Sequence, residues 1–130
     1  MNKQASEKRK VLIVDDDPLV RGMFCRMIEL VGFEALKAEN GVEALELFKT
    51  HAHDIDIVFV DFMMPGRNGE EVMHDIRGIR QDARVVLASG YHEVRHSVDC
   101  LGNEGFNAFL YKPFRLEELR AVIQHILLHE

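Results

Sequence analysis

Long apolar runs are missing from this chain. The first ten residues are polar and the apolar run that follows is only four long, Val11-Leu12-Ile13-Val14. A secretory leader needs about 7–15 apolar residues and a membrane span about 20. Neither is expected, which leaves the cytoplasm as the default compartment. Cysteine is scarce too: Cys25 and Cys100 stand far apart without a paired spacing, so two free, buried thiols are expected rather than a disulfide framework. Basic residues are in the minority, with a net charge of -6. A nucleic-acid binder would carry a basic patch, and the one dense basic stretch, residues 3–10, reads as a solvated arm before the first strand. His92 and His96 lie one helical turn apart, but zinc needs a third ligand and none is evident. No Pro-, Gly- or Ser-rich stretch divides the 130 residues, which predicts one domain over residues 10–130 behind a flexible arm at 1–9.

What the chain does have is alternation. Short β-rich runs fall at 11–14, 33–37, 55–60, 84–88 and 108–111, with helical patterns between them. The first helix shows apolar pairs at Leu19/Val20, Met23/Phe24 and Met27/Ile28, a repeat of four that marks one helical face. Asp17-Pro18 reads as N-cap and first helical residue, and Gly32 as the stop. The second helix uses Val42, Leu45 and Phe48, and the third Val72, Met73, Ile76 and Ile79. The fourth uses Tyr91, Val94, Val98 and Leu101, and the fifth Leu116, Leu119, Val122, Ile123 and Ile126. Five β-α units in alternation predict an α/β, flavodoxin-like fold: a five-stranded parallel sheet in the order 2-1-3-4-5 with helices on both faces. Sites in such sheets lie beyond the carboxyl ends of the strands, at the switch point between strands 1 and 3.

Carboxylates fall at that point. The first strand runs into Asp15-Asp16-Asp17, and the third, Ile57-Val58-Phe59-Val60, into Asp61. Two carboxylates ~4 Å apart repel by about 4 kcal/mol at an effective dielectric near 20. A hard divalent cation with oxygen ligands offsets that cost. Strand 4 delivers Ser89 and strand 5 delivers Lys112, followed by Pro113. An acid pair, a lone acid, a hydroxyl and an ammonium are what phosphoryl transfer to a carboxylate requires. Asp61, alone on the central strand, is the candidate nucleophile. Asp16 is the candidate direct metal ligand and Asp15 a water-mediated one, since successive strand residues point to opposite faces. The backbone carbonyl of Met63 is a further candidate oxygen. Mg²⁺ suits this set, because it keeps several waters and takes one or two carboxylates plus a phosphate oxygen.

Four stretches in this order resemble the receiver domains of two-component response regulators. They are Val11-Leu12-Ile13-Val14-Asp15-Asp16-Asp17-Pro18, Val58-Phe59-Val60-Asp61-Phe62-Met63-Met64-Pro65-Gly66, Val85-Val86-Leu87-Ala88-Ser89-Gly90-Tyr91 and Phe109-Leu110-Tyr111-Lys112-Pro113-Phe114. The resemblance implies that Asp61 takes a phosphoryl group from a phosphohistidine on a histidine kinase or histidine phosphotransfer domain. It implies that Asp15, Asp16, Asp61 and the Met63 carbonyl arrange Mg²⁺, and that Ser89 and Lys112 bind the phosphoryl oxygens. It implies, too, that Phe109 is the aromatic that swings inward and changes the helix 4–strand 5–helix 5 surface read by a downstream effector. The Ser89-Gly90-Tyr91 variant is similar to receivers of hybrid sensor kinases. On this reading the protein is a signalling domain that catalyses its own modification, with no direct role for nucleic acid or membrane insertion.

Two other classes compete. Asp15-x-Asp17 after an apolar strand resembles small haloacid-dehalogenase-like phosphatases, but Pro18-Leu19 stands where that family has Gly-Thr and the chain lacks room for a cap. A flavin-binding flavodoxin must cradle phosphate in its first loop, and Asp15-Asp16-Asp17 would repel it.

Overall fold

The computed structural model describes residues 9–101 and 105–128. Most of the expected arm, residues 1–8, and the C-terminal residues 129–130 lie outside the described residues. Arg9, the last residue of that arm, donates from Nε and Nη2 to Asp56 Oδ1 at 3.0 and 2.5 Å. Five strands alternate with five helices: β1 (Lys10–Val14), α1 (Pro18–Val31), β2 (Glu34–Ala38), α2 (Gly41–His51), β3 (Ile55–Val60), α3 (Gly69–Ile79), β4 (Val85–Ser89), α4 (Tyr91–Leu101), β5 (Ala108–Tyr111) and α5 (Leu116–Leu128). All strand pairs are parallel and the order is β2-β1-β3-β4-β5. The sheet is therefore the doubly wound one expected. β2 starts one residue late because Phe33 closes α1: its N–H donates to Ile28 O at 3.2 Å, beside Gly32 in the left-handed region at φ 109°. Only a residue without a Cβ takes that conformation without strain. Asp17 caps the other end, accepting from Leu19 N and Val20 N, with Pro18 as first helical residue.

Each strand alternates between two cores. Leu12, Val14, Val58, Val60, Val85 and Leu87 face α2, α3 and α4, where Ala44, Phe48, Val72, Met73, Ile76 and Val94 meet them. Val11, Ile13, Ile57, Phe59, Val86 and Ala88 face α1 and α5 through Phe24, Ile28, Leu119, Ile123 and Ile126. Fully burying one such side chain stabilises by about 1.5–3 kcal/mol, and both faces of the central strands are buried, as parallel sheets require.

Several apolar positions face outward instead. Leu19 is 78% exposed and Met23 66%. A strict repeat of four drifts by ~40° each turn around a 3.6-residue helix. Both members of each pair cannot stay on the core side, and Phe24, Cys25 and Ile28 take it. Val42 and Tyr91 are likewise exposed and Ile79 partly so. Of the two thiols expected to be buried, only Cys25 is, and burial pushes its pKa up. Cys100 is exposed, because α4 turns Val94, Ser97 and Val98 inward and the residue two positions beyond Val98 lies ~200° round the helix. No described helix is long and apolar enough to cross a membrane.

Candidate functional site

Strand order brings the four predicted segments to one edge. Asp61 N–H donates to Val14 O at 3.0 Å and Lys112 N–H to Ser89 O at 2.8 Å, so the ladders of β1, β3, β4 and β5 run directly into the residues that follow them. Asp15 is buried at 2% exposure while Asp16 is exposed, the alternation expected of neighbours at a strand end. Asp15, Asp16 and Asp61 each offer a carboxylate oxygen within 4.8 Å of the others. Ser89 is buried, and its Oγ donates to Asp61 Oδ1 at 2.8 Å. Lys112 Nζ donates to Asp15 Oδ2 at 2.5 Å and stands 3.3 Å from Asp61 Oδ1. The second oxygen of Asp15 accepts from Asp17 N at 2.9 Å.

Asp61 is thus approached by one hydroxyl and one ammonium. Its carboxyl pKa is raised: burial is the largest cause, Lys112 and Ser89 oppose it, and Asp15 adds to it. Three clustered carboxylates and one lysine leave an excess of negative charge that a hard cation can neutralise. The donors are all oxygen, which fits Mg²⁺.

The loop after β3 is held against the site. Gly69 N–H donates to Phe62 O at 3.0 Å. A Cβ on Gly69 would lie 2.6 Å from Asp61 O, so only glycine lets α3 start this close to the acid. Gly69→Ala is expected to destabilise the protein by about 1–3 kcal/mol and to displace the Asp61 backbone. A urea midpoint equal to the parent's would contradict this. Met63, whose carbonyl is the remaining candidate ligand, turns its side chain outward at 62% exposure.

Phe109 is half-buried, packed edge-on against Phe106 with ring centres 6.0 Å apart. In the β4–β5 register it pairs with Leu87, and Tyr111 with Ser89. Phe109 and Ser89 therefore lie on the same sheet face, one pleat apart, under α4. Tyr91 leaves the core to rest on Tyr111, with ring centres 5.7 Å apart.

On α4, His92, Arg95, His96 and Asp99 are exposed and Glu93 is half-buried, but Ser97 is fully buried. It sits at the core spacing of Val94, a signal the residue type obscured. His92 and His96 gain no third ligand, since the one cluster of possible metal ligands among the described residues is the three aspartates. Arg21 carries no local sequence signal for its role. Its Nη1 donates to Asp15 O at 2.8 Å, from one turn beyond the Asp17 cap.

The sequence model of the response regulator receiver domain matches residues 11–124. The chain belongs to this family. The receiver domain is 35% identical over 117 residues to a cyclic di-GMP phosphodiesterase of Thermotoga maritima, a match over 90% of this chain and 30% of the relative. It is 36% identical over 126 residues to the probable transcriptional regulator ycf27 of Cyanidium caldarium, over 97% of this chain and 49% of that protein. The chain thus spans at most about half the length of these curated relatives. The response regulator TrrA of Thermotoga maritima, solved in complex with Mg²⁺ and BeF, superposes with a TM-score of 0.78 at 31% identity, covering 91% of this chain and 98% of that one. Nothing in the fold or these relatives favours the haloacid-dehalogenase-like alternative, and in this receiver domain the Asp17 carboxylate is engaged in capping α1.

Proposed function

We propose that Asp61 of this receiver domain is the phosphoacceptor, taking a phosphoryl group from a phosphohistidine on a histidine kinase or histidine phosphotransfer domain in a Mg²⁺-dependent reaction. The observation that carries this is the convergence of Ser89 Oγ and Lys112 Nζ, from two other strands, on the same oxygen of Asp61. A carboxylate oxygen of Asp61 forms the new P–O bond as the P–N bond to the donor imidazole breaks, and the ring nitrogen keeps the electron pair. Asp15, Asp16, Asp61 and the Met63 carbonyl would hold Mg²⁺, which would supply charge neutralisation for the transferring oxygens. Lys112 and Ser89 each take one phosphoryl oxygen, and little bond-making is left to the protein beyond positioning. The catalysis is confined to the domain's own phosphorylation and dephosphorylation, so it is a signalling module rather than an enzyme of free substrates. The domain occupies residues 10–130 behind a polar arm at 1–9 and works in the cytoplasm. Its acidic balance argues against nucleic acid as a direct partner.

Phosphorylation adds about -1.5 to -2 of charge and three acceptor oxygens. Ser89 turns toward them, and Phe109, on the same sheet face, rotates into the space left. The α4–β5–α5 surface changes for a downstream effector, a local electrostatic event read by a bistable packing element. Incubation with acetyl phosphate and Mg²⁺, read by intact mass, tests the acceptor role. A gain of one phosphoryl group is expected, and an unchanged mass defeats it. Phe109→Ala is expected to phosphorylate like the parent but to lose about tenfold in phosphorylation-dependent effector affinity. Equal affinities would remove Phe109 from the switch.

A further inference from the structure

α4 is joined to the Asp61 segment by two contacts that the phosphoacceptor chemistry does not use. Ser97, fully buried on the sheet-facing side of α4, donates from Oγ to Glu70 Oε2 at 2.8 Å. Glu70 lies in the first turn of α3, directly after Gly69, whose N–H is bound to Phe62 O. The His96 ring meets the Phe62 ring edge-on, with centres 5.8 Å apart. Phe62 N–H points at Ser89 Oγ, 3.4 Å away, and that hydroxyl also donates to Asp61 Oδ1. The seat of α4 and the Asp61 carboxylate are therefore linked through one residue, Phe62.

Among the described side chains of α4, Val94 is the fully buried apolar residue, helped by the partly buried Val98. A serine fills the next core position, where a leucine or valine would have packed. A buried hydroxyl without its partner is costly, because water cannot reach it while the helix stays down. The bond to Glu70 is thus satisfied only with α4 placed as it is here. Moving α4 away separates the two groups and hydrates both. A contact made in one of two states biases the equilibrium by its full differential strength.

We propose that the Ser97–Glu70 hydrogen bond is a latch that holds α4 in the unphosphorylated arrangement and sets how strongly phosphorylation must pull to release it. The latch rests on Asp61 being the phosphoacceptor. Its test uses fluoroberyllate with Mg²⁺ in place of the acyl phosphate, titrated calorimetrically into the purified protein. Ser97→Ala is expected to bind fluoroberyllate about five- to tenfold tighter than the parent, although its melting temperature without the ligand falls. Glu70→Ala, at a half-buried position, is expected to do the same, and the double variant to bind no tighter than either single one. A merely structural serine would lower the melting temperature and leave the affinity unchanged or weaker. That outcome, or additive effects of the two substitutions, overturns the latch. If Ser97→Ala does not fold, Glu70→Ala alone decides. A parent protein that binds no fluoroberyllate overturns the phosphoacceptor reading instead, so the two failures are distinguishable.

Discussion

Asn in place of Asp61 is expected to abolish phosphoryl uptake and, in the metal-free protein at neutral pH, to raise the melting temperature. Both follow from one side chain. The amide offers no nucleophilic carboxylate oxygen, so acetyl phosphate and Mg²⁺ should add no mass to the variant. Ser89 keeps its partner, because the amide oxygen accepts the hydroxyl that Asp61 Oδ1 accepts now at 2.8 Å. Asp61 has a folded-state pKa above its ordinary value, chiefly through burial. The folded state therefore holds its proton more tightly than the unfolded chain does. Its contribution to stability is complete below the unfolded pKa and is lost as pH rises through the folded one. Asn is neutral at every pH and avoids that loss. The two melting temperatures, measured in chelator, should differ at pH 7 and approach one another in acid. A variant that still gains mass would move the acceptor elsewhere. A variant that melts lower than the parent at pH 7 would show the Lys112 contact outweighing burial.

Mg²⁺ is expected to stabilise the protein strongly, and Asp16→Asn to remove most of that gain. Metal that binds the folded state alone stabilises by about 2.7 kcal/mol at a hundredfold excess over Kd, which is about 10 °C in a domain of this size. Three carboxylates whose oxygens lie within 4.8 Å of one another repel when metal is absent, and Lys112 already neutralises Asp15. Asp16 is exposed and is the ligand that no lysine competes for. In Asp16→Asn the metal-free protein should melt slightly higher than the parent, since one repelling charge is gone, while the Mg²⁺-dependent rise shrinks to a small fraction. Thermal melts with Mg²⁺ and with chelator measure both. A parent that melts at the same temperature in either condition would mean that the aspartates are not a metal centre.

Much of the fold could be read from pattern because its signals are local. Asp17-Pro18 and Gly32 mark the ends of α1, since a capping oxygen, a fixed φ and a missing Cβ act within a few residues. The apolar runs of β1 and β3 are continuous because the strands are buried on both faces. Errors arose where a repeat had to be projected onto a particular face. The periodic pattern places Leu19, Met23 and Val42 on the apolar helix faces, yet they are exposed, because an apolar residue fits a periodic pattern whether or not the helix is rotated to bury it. Ser97 is the converse: a polar residue at a core spacing, buried because Glu70 from a different helix satisfies it.

Residue order alone specified the α/β alternation and the types of group that gather at the carboxyl ends of the strands, since periodicity, caps and charge repulsion need no knowledge of distant neighbours. Tertiary structure decided which oxygen of Asp61 receives Ser89 and Lys112, which aspartate is buried, how close α3 approaches through Gly69, and what holds α4 down. The outcomes at Asp61 and α4 depend on contacts between residues 27 or more positions apart. Their distances are set by how the helices pack on the two faces of the sheet, which no local stretch encodes.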